Sequence, residues 1–220
     1  MAPDDVVSPS WGFYFDFLSP YSYLASQRIS DFPAFHALEP RPVVFGSILS
    51  ARNAQGPGEI QLRRRAGLTD LLLLARHYGI PLEGPPRHPF NSVPALRVTL
   101  AVAPDQRRSL VDAFFRAAWA RGEDLESFAV LGRILVETDI RDVDPEEASS
   151  QPELRKALKT STKAFLERGG FGVPSFLIRD VLFFGHDRME VAEAYAKGEL
   201  DLDRSQLEAM LNRPQPPRLV

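Results

Sequence analysis

Ser19 is the residue of this chain best placed to do chemistry at a fixed point. It lies in Phe13-Tyr-Phe-Asp-Phe-Leu-Ser-Pro-Tyr-Ser-Tyr-Leu-Ala25, where a strand-like aromatic run stops at Ser19-Pro20 and a helical pattern begins at once. Proline suits the first turn of a helix, because its missing N–H would have no partner there. Ser19 therefore sits at a strand-to-helix turn, beside unpaired N–H groups and the positive end of a helix dipole. A hydroxyl there can donate to an anion. It can equally serve as an ordinary N-cap. Other candidates stand in loops and turns. Gly185-His186-Asp187-Arg188 follows a strand-like run and opens a helical one. Asp187 is a good N-cap, and such a turn exposes N–H groups suited to a carboxylate. Asn53 lies in Arg52-Asn-Ala-Gln-Gly-Pro-Gly58, a loop that reads either as a ligand contact or as a plain turn. Asp16, between Phe15 and Phe17, reads as a structural hydrogen-bonding group near the turn.

The elements that must hold these residues follow from periodicity. Residues 11–17 predict a strand, residues 20–31 a helix and residues 40–45 a second strand, a β-α-β unit with parallel strands. Helical patterns then run for more than a hundred residues: 59–78, 105–121, 125–139 and 152–168. Ser175-Phe-Leu-Ile178 and Val181-Leu-Phe-Phe184 flank Arg179-Asp180, a hairpin signal. Asp187 and Asp203 each predict the start of a later helix. The expected class is α/β, with residues 11–46 and 170–212 forming one discontinuous unit around a helical insertion at 47–169. Residues 213–220 are Pro-rich and predict a disordered tail.

The 220 residues include no cysteine, which excludes disulfides, thiolate metal sites and dithiol redox chemistry. His36, His77 and His88 show no metal-binding spacing, so no metal is expected. A net charge of −3 without a basic cluster argues against nucleic acid. Leu71-Leu-Leu-Leu-Ala75 is far too short to span a bilayer. The first ten residues are acidic and lack an apolar stretch, so they do not read as a secretory signal, and a cytoplasmic protein is the expectation.

Several segments together resemble the 2-hydroxychromene-2-carboxylate isomerase and kappa-class glutathione transferase family, in the DsbA-like branch of the thioredoxin fold. They are Ser19-Pro20-Tyr21-Ser22-Tyr23-Leu24, Tyr78-Gly79-Ile80-Pro81-Leu82, Pro89-Phe90-Asn91-Ser92, Phe171-Gly172-Val173-Pro174-Ser175 and Phe184-Gly185-His186-Asp187-Arg188. The resemblance spans about residues 11–200, and the isomerase branch fits better than the transferases. It implies a thioredoxin-like fold with a large all-helical insertion. Serine occupies both cysteine positions of the redox C-x-x-C frame, at Ser19 and Ser22. The cofactor implied is glutathione, with Ser19 bonding its sulfur and favouring the thiolate. Pro20, Tyr21, Asn53, a cis Val173-Pro174 pair, His186 and Asp187 are implied as further contacts, Asp187 at the γ-glutamyl ammonium. The implied reaction is reversible thiolate addition to a small aromatic-derived substrate, which allows ring opening and cis/trans isomerisation in aromatic compound catabolism. A homodimer is also implied.

One departure concerns the helix after the Asn53 loop. The family commonly carries a lysine and then a tyrosine there, whereas this chain has Leu62-Arg-Arg-Arg-Ala-Gly-Leu68. Arg63, Arg64 or Arg65 supplies the cation, or the three form a solvated face. Phe90, Phe114, Phe115 and Trp119 either line a substrate pocket or pack as core. Two alternatives to the isomerase stay open: a glutathione transferase, and a non-catalytic thioredoxin-like module that binds peptides at the cis-proline edge.

Overall fold

The computed structural model describes residues 11–214; the acidic first ten residues and residues 215–220 of the expected tail lie outside the described residues. The first strand, β1 (Gly12–Phe15), is buried along its whole length. Its side chains point alternately into two apolar layers, as strand geometry requires. Phe13 and Phe15 join Phe17, Phe115 and Phe176 on one side, and Tyr14 joins Val43, Ile48, Phe165 and Leu177 on the other. The rings of Phe15 and Phe17 lie 5.2 Å apart, and Phe17 meets Phe115 at 4.9 Å. Truncating one such buried ring to alanine costs about 3–5 kcal/mol. The floor beneath the Ser19 turn is therefore rigid.

Helix α1 (Pro20–Arg28) and a short 3-10 turn, Ile29–Asp31, carry the chain to strand β2 (Glu39–Pro42). β2 pairs with β1 in parallel, as the β-α-β reading predicts. It begins one residue earlier than expected and stops three residues sooner. The Phe45 N–H donates to the Asp16 carboxylate at 2.8 Å, so the chain leaves the sheet and starts a helix where the sequence reads as strand. Strands β3 (Ser175–Ile178) and β4 (Val181–Phe184) form the expected hairpin, with Arg179 in the left-handed conformation of its turn (φ 56). β3 pairs antiparallel with β1, giving the strand order β2-β1-β3-β4.

Between β2 and β3 the described chain is helical: α2 (Phe45–Ala51), α3 (Gln61–Tyr78), α4 (Val93–Ala101), α5 (Arg107–Phe115), α6 (Phe128–Glu137), α7 (Pro145–Ser150) and α8 (Pro152–Glu167). Periodicity anticipates the longer of these but not α2, α4 or α7. α2 and α7 have only seven and six residues, and α4 buries Ala95, Leu96, Val98 and Thr99 with no clean polar face. α3 is unusual in the opposite sense: only Leu71 and Ala75 of its 18 residues are buried. Beyond β4 lie α9 (Met189–Lys197) and α10 (Arg204–Leu211), the latter capped by Asp203 as its sequence predicts. The α/β class and the helical insertion are as expected.

Candidate functional site

Ser19 stands at the N-cap of α1 in extended conformation (φ −89, ψ 114). Its Oγ accepts the Ser22 N–H at 3.2 Å, and its hydroxyl proton is directed at the Val173 carbonyl, 3.4 Å away. The second bond is long and therefore weak, so the proton can be redirected to a stronger acceptor at little cost. In the first turn of α1, Pro20 has no N–H and the Ser22 N–H is engaged by Ser19, while the N–H of Tyr21 has no helical partner by position. A hydroxyl donor and a helix N-terminus thus converge on one point, which favours an anion there.

Across this point runs the segment that precedes β3. The Val173-Pro174 bond is cis, and the Pro174 carbonyl accepts the Gly185 N–H at 2.9 Å. That bond brings the Gly185–Arg188 turn to the site. Gly185 has φ 105, a conformation open to glycine, and a Cβ there would collide with the Asp187 carboxylate. The His186 ring stacks on Tyr21 at 5.3 Å and meets the edge of Tyr78 at 6.4 Å. His186 is 7 % exposed, and its Nε2 is buried without a hydrogen-bond partner among the described residues. Burial pushes its pKa down, against the pull of Asp187, which keeps the imidazole neutral. An unpaired buried nitrogen is costly. The Tyr21 hydroxyl donates to Asp70 on α3 at 2.9 Å, and burial with that carboxylate beside it pushes the phenol strongly up. Tyr21 is thus a neutral donor fixed in orientation.

Ser19, Pro20, Tyr21, Val173, Pro174 and the turn of His186 and Asp187 are brought together; among the described residues no side-chain hydrogen bond ties Asn53 to them. It sits exposed at the end of α2 with φ 49, a left-handed conformation that asparagine tolerates. Its neighbour Arg52 reaches the chain before Val173, donating to the carbonyls of Leu166 and Gly170. Arg63, Arg64 and Arg65 are exposed on α3. Asp187 does not cap a helix as its position in the sequence predicts. Residues 186–188 form a 3-10 turn, α9 begins at Met189, and the Asp187 carboxylate pairs with Arg188 at 3.0 Å with 56 % of its side chain exposed. The left-handed Gly185 tightens the chain into that turn and leaves the carboxylate outside the helix. Phe90, Phe114, Phe115 and Trp119 are core and not pocket lining, each 8 % exposed or less, and Phe114, Phe115 and Trp119 pack beneath the turn against Phe17 and Tyr23.

Four side chains hold the site from behind, in roles that the sequence does not disclose. The indole N–H of Trp119 donates to the Phe17 carbonyl at 2.8 Å, from a π turn at Arg116–Ala120. His88 Nε2 lies 2.9 Å from the Leu18 carbonyl. Ser92 donates to Asp16, and Asp70 orients Tyr21. Ser92 falls within a segment of the resemblance and His88 adjoins it, which is a signal of importance without a role. Asp70, on an exposed helix, carries none.

The DSBA-like thioredoxin domain matches residues 12–197. The 2-hydroxychromene-2-carboxylate isomerase of Pseudomonas putida is 32% identical over 194 residues, covering 86% of this chain and 94% of that protein. Glutathione S-transferase kappa 1 of Homo sapiens is 26% identical over 206 residues, covering 84% and 89%. A solved structure of a 2-hydroxychromene-2-carboxylate isomerase superposes with a TM-score of 0.77 at 27% identity, covering 92% of this chain and 99% of that one.

Proposed function

From the premise that this chain belongs to the DSBA-like thioredoxin domain family, in the group of 2-hydroxychromene-2-carboxylate isomerases and kappa-class glutathione transferases, we propose that it is a glutathione-dependent isomerase of small aromatic-derived substrates. The observation that carries the reading is Ser19, whose hydroxyl caps α1 and reaches the Val173 carbonyl beside the cis proline. When bound, glutathione supplies a thiolate that adds to a conjugated carbon and leaves again, freeing rotation about the bond between. The chain's part is to hold that sulfur anionic. The Ser19 hydroxyl donates to it, and the helix N-terminus with the Tyr21 N–H stabilises its charge over the neutral thiol. The buried Nε2 of His186, without a hydrogen-bond partner among the described residues, fits a polar group of the tripeptide, and the exposed Asp187 carboxylate fits its α-ammonium. Tyr21, held by Asp70, closes the side facing α3.

The 32% identity to an isomerase, against 26% to 27% for the kappa transferases, favours isomerisation over conjugation. Among the described residues no helix is long and apolar enough to cross a membrane. The exposed Leu62, Leu68, Leu72 and Leu73 of α3 support a homodimer, since stripes of this kind usually mark an interface. Calorimetric titration with glutathione, followed by a ring-opening assay on 2-hydroxychromene-2-carboxylate with and without it, tests the function. Saturable binding and strictly glutathione-dependent turnover are expected. Turnover at full rate without thiol would overturn the reading. A stable conjugate accumulating in place of isomerised product would move it to a transferase.

A further inference from the structure

Asp16 is fully buried one residue beyond β1, yet among the described residues no cation is seen against it. Its Oδ1 accepts the Ser92 hydroxyl at 2.5 Å and the Leu18 N–H at 3.2 Å, and its Oδ2 accepts the Phe45 N–H. Its own carbonyl accepts the Ser19 N–H at 3.0 Å. Phe45 is the first residue of α2, and Ser92 immediately precedes α4. One side chain and its backbone thus tie the starts of three helices together, with Ser19 at the start of the third. Placing a carboxylate in such surroundings is unfavourable, and burial pushes its pKa up to about 6 despite four hydrogen bonds. An apolar residue of similar size would be the cheaper filling if stability alone were at stake.

We propose that Asp16 and Ser92 are positioning residues for Ser19: their hydrogen bond fixes the β1–α1 turn against α2 and α4, and so fixes where the Ser19 hydroxyl stands. The inference rests on the Ser19 reading above. It gives a task to Pro89-Phe90-Asn91-Ser92, which otherwise has none. His88 and Trp119 complete the same task on the carbonyl side of the turn, at Leu18 and Phe17. With the carbonyls of residues 16, 17 and 18 and the N–H groups of residues 18 and 19 all engaged, the turn has little room to shift. Small displacements matter here, because misplacing a catalytic group by about 1 Å can lower a rate on the order of 100-fold.

The test compares Ser92→Ala, Ser92→Thr and Asp16→Asn with the wild-type protein. Turnover, glutathione affinity and the pKa of bound glutathione thiol, read from thiolate ultraviolet absorbance, are measured for each. Ser92→Ala should lower kcat roughly 10- to 100-fold and raise the bound thiol's pKa, with glutathione affinity within about twofold. Ser92→Thr should restore most of the rate. In a Ser19→Ala background Ser92→Ala should add no further loss, since a residue acting through another is non-additive with it. An unchanged kcat in Ser92→Ala overturns the proposal. So does a loss that merely tracks melting temperature while the thiol pKa stays put. If Ser92→Ala does not fold, Asp16→Asn is judged by the same readings. If wild-type protein binds no glutathione, the functional reading fails, and amide exchange at Leu18 and Ser19 then decides: faster exchange in Ser92→Ala supports the clamp, and equal exchange sinks it.

Discussion

From Asp16 to Ser19 the turn is tied down from several sides: Phe45 of α2 and Ser92 before α4 donate to the Asp16 carboxylate, and Trp119 of the π turn after α5 and His88 meet the carbonyls of Phe17 and Leu18. Along α3, which supplies Asp70 to the same site, all but a few side chains stand in solvent. The two regions are assigned different tasks. Under the proposed function, sulfur chemistry needs a donor held at one point, and the turn offers one on a stiff aromatic floor. Contact with an electrophile or with another chain needs a face that can change without disturbing that point. The departure of this chain from its family, three arginines where a lysine and a tyrosine are common, falls on α3 and leaves the turn intact. Under the proposed function, substrate range can therefore diverge while the geometry around Ser19 stays fixed.

The sharpest way to break this contrast is at the turn. Ser19→Ala is expected to lower glutathione-dependent turnover by roughly one to three orders of magnitude, the usual cost of removing one donor from a developing anion. Folding stability should drop by only about 1 kcal/mol, the size of a lost cap, as followed by urea denaturation. Normal turnover in that variant would remove Ser19 from the mechanism.

Asp187 tests the outer part of the site. Asp187→Asn is expected to weaken glutathione roughly tenfold or more, because a charge-assisted bond contributes about 1.5–3 kcal/mol. The same variant should narrow the preference for glutathione over β-mercaptoethanol, measured as the ratio of kcat/KM values. An unaltered ratio would place the γ-glutamyl end elsewhere.

A smaller effect separates the buried carboxylate from its exposed counterparts. Asp16 has a folded-state pKa of about 6, raised chiefly by burial from an ordinary value of 3.8. A raised carboxyl gives stability that is full below the unfolded pKa and lost as pH climbs through the folded one. Relative to Asp16→Asn, the wild-type protein should therefore gain about 1 kcal/mol between pH 7 and pH 5, one pKa unit being about 1.4 kcal/mol. Unfolding free energies at the two pH values check this, and a difference that moves the other way would mean that the carboxylate is better solvated than its burial implies.

The least effect is expected on α3. Leu62→Ser and Leu73→Ser should change folding stability by no more than about 0.5 kcal/mol and leave glutathione affinity intact, as surface substitutions do. Sedimentation of the same variants reports on the dimer. If either abolishes glutathione binding, the division of labour between turn and helix is wrong.

What the sequence discloses follows this contrast. β1 and the hairpin at Arg179-Asp180 have local signals, an aromatic run and a two-residue turn, whereas the cis Val173-Pro174 bond is implied only by the resemblance, because a proline before a strand reads locally as trans. The supports of the site have no local signal. Trp119 meets Phe17 across 102 residues, Ser92 meets Asp16 across 76 and Asp70 meets Tyr21 across 49. Periodicity reports which face of a helix is buried and says nothing of which carbonyl an indole will reach. The end of β2 is hidden from the sequence for the same reason, since the group that halts it, Asp16, lies on another element. Asp187 reads as a cap from its neighbours in sequence, but the preceding glycine folds the turn so that its carboxylate points away from that use.

The bond between Ser19 and the Val173 carbonyl joins residues 154 apart. On a ribosome making about 5–20 residues per second, the second half of the site emerges roughly ten to thirty seconds after the first. Throughout that interval β1 has β2 available as a neighbour, but its other edge awaits β3 and offers unpaired backbone groups to any passing strand. The aromatic side chains that make the finished turn rigid make the nascent one adhesive. A nascent chain halted before residue 173 should therefore be a preferred client of holding chaperones, and production of active protein should respond more to translation speed in the helical stretch than to the stability of the folded enzyme.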